Sequence, residues 1–186
     1  MDSLIIAAAA GLRSRLEALD VIANNIANAG AAGYKADHES GAPYVSSQAQ
    51  SGAREAWRPE SVIAPDNDRH WTDHSQGVLQ RSSEPLDLAL YGAGMFEVRT
   101  ARGALWTRNG NFRVGTNGKL LTHEGYEVRV RPSGLDYRIN PDESVSIQRD
   151  GTIVQNGQAI GQIEIVKFET AELLNKQGGN YFRVSD

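Results

Sequence analysis

The chain has no cysteine, no basic stripe and no long apolar run, and each absence removes a class of function. Without cysteine there is no disulfide framework, and no thiol to protect in an oxidising compartment such as the periplasm. A formal net charge of −4 without interleaved basic and aromatic residues gives no electrostatic basis for binding nucleic acid. No apolar stretch approaches the ~20 residues that span a bilayer. The segment LIIAAAAGL at 4–12 is shaped like a secretory h-region, but Asp2 precedes it where cations are expected, and it merges into a periodic helix. It reads as mature structure. What remains is a chain of 186 residues, 40% hydrophobic, long enough for one compact domain and an extended helix.

That helix is legible by spacing. Ile5, Ala9, Leu12, Leu16, Leu19, Ala23 and Ile26 recur at alternating intervals of four and three, the seam of a coiled coil. Asp2 or Ser3 is expected to cap its start, and Gly30 and Gly33 to stop it, which predicts a helix from about residue 3 to about residue 28. Apolar residues also lie off the seam, so several packing neighbours are expected. Asn24 and Asn28 stand one turn apart and suit hydrogen bonds that fix the register of a neighbouring helix at some expense of stability. A plain core helix ending in an asparagine-rich turn accounts for the composition equally well.

From 36 to 84 the chain loses periodicity. Ala, Ser, Gln, Gly and Pro dominate 41–67, which predicts loop with at most short strands. Beyond it the local signs are β. Asn109-Gly110, Asn117-Gly118, Asp150-Gly151 and Asn156-Gly157 are expected positive-φ turns between short runs at 112–114, 120–122, 126–130, 145–148 and 160–168. No helices alternate with these runs, so the sheet should be antiparallel. The fold class expected is mainly β with a long N-terminal α-helix and an antiparallel barrel-like or sandwich outer domain. Its interior draws on Leu88, Leu90, Phe96, Val98, Trp106, Phe112, Val114, Leu120, Val128, Ile147, Ile153, Ile163, Ile165, Val166 and Phe168.

Catalytic and metal constellations are weak. His70, Asp73 and His74 have the composition of a metal site but lie in a segment without helical pattern and lack a third strong ligand. Gly92-Ala93-Gly94 leads into a strand rather than a helix, so it lacks the amide-lined terminus that holds a dinucleotide phosphate and reads as a tight turn. No Gly-x-Ser-x-Gly elbow positions a serine for attack. Glu84 with Asp87, or Asp142 with Glu143, form carboxylate pairs for which no cleft can be argued from sequence. No enzyme, catalytic residue, cofactor or metal is expected.

Two motifs carry more. Residues 12–35, LRSRLEALDVIANNIANAGAAGYK, resemble the N-terminal signature of bacterial flagellar rod and hook proteins, with Ala23-Asn24-Asn25-Ile26-Ala27-Asn28 followed by Gly33-Tyr34-Lys35. PLDLALYGAGMFEV (85–98) and LWTRNGNFRVGTNGKLLTHEGYEV (105–128) are similar to the central block of the same family. The resemblance covers roughly 1–45 and 75–184 and is best to the proximal and distal rod proteins, the FlgF/FlgG group. The short variable segment and the opening MDSLIIAAAAGLRSRLEALD lean toward the proximal, FlgF type.

The resemblance implies a structural rod subunit of the basal body, exported through the flagellum's own type III apparatus to the periplasm. Its expected partners are other rod subunits and the export apparatus, without nucleic acid or membrane insertion. Residues 1–35 are then an axial assembly helix and motif, 36–84 a variable connector and 85–186 the β outer domain. Ile5, Leu12, Leu16, Leu19, Asn24, Asn25, Ile26, Asn28, Gly33, Tyr34 and Lys35 are the expected assembly residues. Arg108 is the expected outer-domain contact between subunits, against the alternative of a bridge to a nearby carboxylate. The family's second, C-terminal helix is absent from the sequence, as a truncation or a short natural variant would explain. A rival reading is a secreted β-rich cell-wall or carbohydrate-binding module with an oligomerisation helix, its sugar site lined by Trp57, Trp71 and Trp106.

Overall fold

The computed structural model describes residues 2–39, 42–44, 64–66, 70–132, 136–170 and 174–184, divided between two compact units. The first comprises 1–30 and 35–74; the second comprises 31–34 and 75–186.

In the first unit, helix α1 spans Asp2–Ala27. It begins at Asp2, so the cap expected at Asp2 or Ser3 falls in its first turn, where side chains lie outside the described residues. Its end is closed by Asn28 N–H donating to the Asn24 carbonyl at 3.1 Å and Ala29 N–H to that of Ile26 at 3.2 Å, the tightening common in a last turn. Gly30 does not take the positive φ expected of a stop residue; Gly33 does, at 70°. The connector supplies short strands, β1 (Asp37–Glu39), β2 (Ala42–Tyr44), β3 (Ala64–Asp66) and β4 (His70–Thr72), with β1 antiparallel to β4 and β2 to β3. The stretch 45–63, read from sequence as loop, lies outside the described residues.

The second unit is antiparallel β throughout its described pairings. Strands β5 (Met95–Thr100), β6 (Gly103–Thr107), β7 (Phe112–Val114), β8 (Leu120–Thr122) and β9 (Glu127–Val128) form a sheet with β14 (Ile165–Val166), β15 (Leu174–Lys176) and β16 (Tyr181–Val184). Its order is β15-β16-β6-β5-β9-β8-β7, and β14 also pairs with β5. A second sheet runs β10 (Val130–Pro132), β13 (Gln158–Ile163), β12 (Thr152–Gln155) and β11 (Val145–Ile147). Among the described residues these sheets are open, not closed into a barrel. Short strands joined by tight turns leave each sheet with free edges and no register that closes.

One apolar cluster joins both sheets: Phe96, Val98, Phe112, Leu120 and Val128 from the first meet Ile153 and Ile163 from the second, with Tyr137 and Ile139 between. Met95, Leu174 and Phe182 form a smaller cluster with Trp106 and Phe168 packed on it. Ile165, expected inside, is 46% exposed, because β14 pairs with β5 only through its two residues and turns that side chain outward. Gly118, Gly151 and Gly157 have the expected positive φ, whereas Gly110 does not. Glycine is required at 110 for another reason: a Cβ there would lie 1.8 Å from the Leu88 carbonyl oxygen.

Candidate assembly site

The apolar stripe of α1 is open. Leu12, Leu16, Leu19 and Ile26 are 65, 62, 59 and 71% exposed, and Ile22, one step off the seam, is 52% exposed. Ala9 and Ala23 are exposed as well, while the side chain of Ile5 lies outside the described residues. Burying such a Leu or Ile fully is worth roughly 1.5–3 kcal/mol, so five of them more than half exposed hold several kcal/mol available to a partner. Within the described residues that area is not used for folding.

The asparagines divide by role. Asn28 Nδ2 donates to the backbone carbonyl of Asn24 at 2.9 Å and to its Oδ1 at 3.0 Å, so these two bond along the helix. Asn25 points to the following strand instead: its Nδ2 donates to the Asp37 carbonyl at 2.8 Å, and its Oδ1 accepts from the Asp37 N–H at 3.1 Å. The amide thus imitates one rung of a β-ladder and pins the start of β1. Lys35 is buried at 8% exposure, and its ammonium donates to the His74 carbonyl at 3.5 Å.

Ala31–Tyr34 belong to the β unit. Tyr34 N–H donates to the Ala31 carbonyl at 3.2 Å, closing a turn whose third residue is Gly33 at φ 70°, a position that favours glycine. A Cβ on Gly33 would stand 2.4 Å from the Arg108 carbonyl carbon and 2.5 Å from the Asn109 nitrogen. Two motifs far apart in sequence, Gly33-Tyr34 and Trp106-Thr107-Arg108-Asn109-Gly110, therefore touch through their backbones. Asn180 reinforces the contact. In the left-handed region at φ 65°, it donates from Nδ2 to the Ala32 carbonyl at 3.3 Å, while its own carbonyl accepts from Thr107 Oγ1 at 2.9 Å. The Lys176 ammonium lies 4.2 Å from the centre of the Tyr34 ring, a cation–π contact.

Among the described residues Arg108 makes no bridge to a carboxylate. Its Nη2 donates to the Gly92 carbonyl at 2.6 Å and its Nη1 to the Leu90 carbonyl at 3.5 Å, which fixes the Leu90–Gly94 loop. Burial lowers the pKa of this guanidinium, which stays charged at any physiological pH. The sequence motif flagged Arg108; it did not flag Asn180, whose role rests on a positive φ that no local pattern announces.

Of the tryptophans considered for a sugar site, Trp106 packs edge-on to Phe168 at 5.5 Å against the smaller core cluster, and Trp57 lies outside the described residues. Trp71 stacks on His38 across β1 and β4 at 4.6 Å. Among the described residues no three side chains gather as metal ligands, and the His70 side chain lies outside them. No described helix is long and apolar enough to cross a membrane.

Comparison with known proteins agrees with this geometry. Residues 6–35 match the family described as flagella basal body rod protein, and residues 89–155 match the flagellar hook protein FlgE/F/G D1 domain. The basal-body rod protein FlgG of Bacillus subtilis is 32% identical over 194 aligned positions, covering 94% of this chain and 70% of that protein. FlgF of Mesorhizobium japonicum is 30% identical over 182 positions, covering 96% and 70%, and FlgF of Caulobacter vibrioides 30% over 173, covering 89% and 66%. Relatives of both names match at similar identity, so identity alone ranks neither rod position above the other. Similarity that runs from the helix through the β unit places the chain among the flagellar basal-body rod proteins.

Proposed function

We propose that this chain is a structural subunit of the flagellar rod that assembles through α1 and transmits torque, performing no catalysis. The single observation that carries the reading is the open stripe Leu12, Leu16, Leu19, Ile22 and Ile26, on a helix whose sequence matches the rod family. A lone helix of this length is marginal in water, because most helix stability comes from packing, so the stripe calls for neighbours. Those neighbours are other rod subunits, the chain reaching them through the flagellar export apparatus, with no nucleic acid and no membrane insertion.

In this reading residues 1–35 assemble, 36–84 connect and 85–186 form a sandwich-like outer domain that sets lateral spacing. Ile5, Leu12, Leu16, Leu19 and Ile26 pack against neighbouring helices, and Asn24 and Asn28 set their register. Asn25, Gly33, Tyr34 and Lys35 serve assembly indirectly, by shaping the segment that follows the helix. Arg108 serves a subunit contact through the Leu90–Gly94 loop that it holds. The test is deletion of the gene, with complementation by the full chain or by a version lacking residues 1–30, read by motility and by electron microscopy of basal bodies. Loss of rods rescued only by the version with the helix supports the proposal. Intact flagella in the deletion strain overturn it.

A further inference from the structure

We propose that the β unit docks a second copy of this chain, the hairpin tip between β5 and β6 of one subunit entering an acidic cleft of the next. The inference rests on the rod-subunit reading above and assigns it a lateral contact. The cleft has a volume of about 380 Å³. One wall is β7, an edge strand of the larger sheet; the other runs from Asn140 into β11, an edge of the smaller one. Phe112 and Val145 give it apolar surface, while Glu84, Asp87 and Glu143 oppose the one cation of Arg113.

Two of these carboxylates are held in place. Asp87 accepts from Asn111 Nδ2 at 2.8 Å and from Ser82 Oγ, and Glu143 accepts from Asn156 Nδ2. The carboxylate of Glu84 has neither a hydrogen-bond nor an ion-pair partner among the described residues.

The complementary charge lies on the same unit. At the β5–β6 tip, Thr100 Oγ1 donates to the Gly103 carbonyl at 2.8 Å and accepts from the Arg102 N–H at 3.2 Å, so the turn is ordered before it meets a partner. Arg99 and Arg102 are exposed, and neither guanidinium makes a hydrogen bond or ion pair among the described residues. The tip cannot fill its own cleft. Arg99 pairs with Glu127, Glu127 with Leu121 and Leu121 with Arg113, which sets the two features three strand spacings apart, about 14 Å.

Donor and acceptor are different patches, so the contact is heterologous. Contacts of that kind, when they do not close into a ring, build open helical arrays, the symmetry of a rod. Opposed charges at such a surface chiefly fix register and speed association.

The absence of cysteine gives a clean test. Ser83→Cys, the exposed neighbour of the cleft residue Glu84, and Ala101→Cys at the tip, combined in the full chain and expressed in the deletion strain, should yield disulfide-linked dimers and longer ladders when basal bodies are oxidised. Each single variant should yield none. Basal bodies that contain the double variant without any linkage overturn the contact while leaving the rod reading intact; intact flagella in the deletion strain would instead remove the rod reading itself.

If the cysteine variant does not assemble, the purified full chain decides. Sedimentation should show salt-dependent self-association, weakened on the order of tenfold by Arg99→Glu with Arg102→Glu, or by Glu84→Lys, and restored by mixing the two variants. No association, or no recovery on mixing, overturns the proposal.

Discussion

The backbone of Gly33 rests on the Arg108–Asn109 peptide so closely that a single added methyl group would stand 2.4 Å from the Arg108 carbonyl carbon. Asn180 bonds to Ala32 in the same turn, so the segment following the helix is seated on the β unit by backbone rather than by apolar burial. Gly33→Ala must therefore shift main chain and also hold an alanine at φ 70°, which alone costs about 1–2 kcal/mol. We expect a loss of at least ~2 kcal/mol in denaturant unfolding of the β unit. An unchanged midpoint would show that the turn does not contribute to it.

Asn25 and its helical neighbours should separate cleanly. Asn25→Ala removes both bonds to Asp37, and the Asp37 amide should lose hydrogen-exchange protection corresponding to about 1–2 kcal/mol. Asn24→Leu with Asn28→Leu leaves that rung in place. It should preserve the folded β unit, read by thermal melting, and disrupt rod incorporation. Normal motility and normal rods in such a strain would refute the register role.

The stripe makes a related prediction. Leu16→Ser with Leu19→Ser changes side chains that are about 60% exposed, so the melting of the β unit should stay within error of the parent. The same pair should abolish rods. A large drop in melting temperature would mean that the stripe is spent on folding.

Arg129 joins the two sheets electrostatically. Its Nη1 lies 2.7 Å from Glu97 Oε1 and its Nε 3.0 Å from Glu164 Oε2, at the residue between β9 and β10. The Glu97 side chain is only 10% exposed while that of Arg129 is 41% exposed, so Arg129→Ala leaves a carboxylate short of a partner that solvent only partly replaces, at a cost of about 1–3 kcal/mol. Adding Glu97→Gln should recover part of that loss. Equal stability of the single and double variants would count against the bridge.

Alkaline titration tests the Tyr181–Glu124 bond. Burial, and then the hydrogen bond to Glu124, raise the Tyr181 hydroxyl above its ordinary value. Burial also pushes the Glu124 carboxyl up, but hydrogen bonds from Tyr181, from its own backbone and from Thr122 outweigh it and hold it low. A raised folded pKa means that the unfolded tyrosine ionises first. The contribution is complete below about pH 10 and is lost as pH rises beyond it. Tyr181→Phe should flatten the stability profile in that window; an unaltered profile would assign the loss to other groups.

Much of this was legible locally. Helix α1 follows from the four-and-three spacing of its leucines and isoleucines, and the turns at Gly118, Gly151 and Gly157 follow from the residues that tolerate positive φ. Gly110 shows the limit: the same Asn-Gly signal hides a close approach to Leu88, which is distant in the chain. Ile165 shows another, since its apolar character placed it inside and its pairing with Phe96 left it exposed. Asn180 carried no signal at all.

The sequence alone determined the helix and its apolar seam, the antiparallel character of the β unit and the family motifs, because dihedral preference and periodicity are written within a few neighbouring residues. Tertiary structure decided that Gly33 meets Arg108, that Asn25 rather than Asn24 or Asn28 holds the next strand, and that the sheets stay open. Those outcomes depend on which distant segments meet once the shared core of Val98, Ile139 and Ile153 closes, and burial and backbone satisfaction settle that across the whole chain.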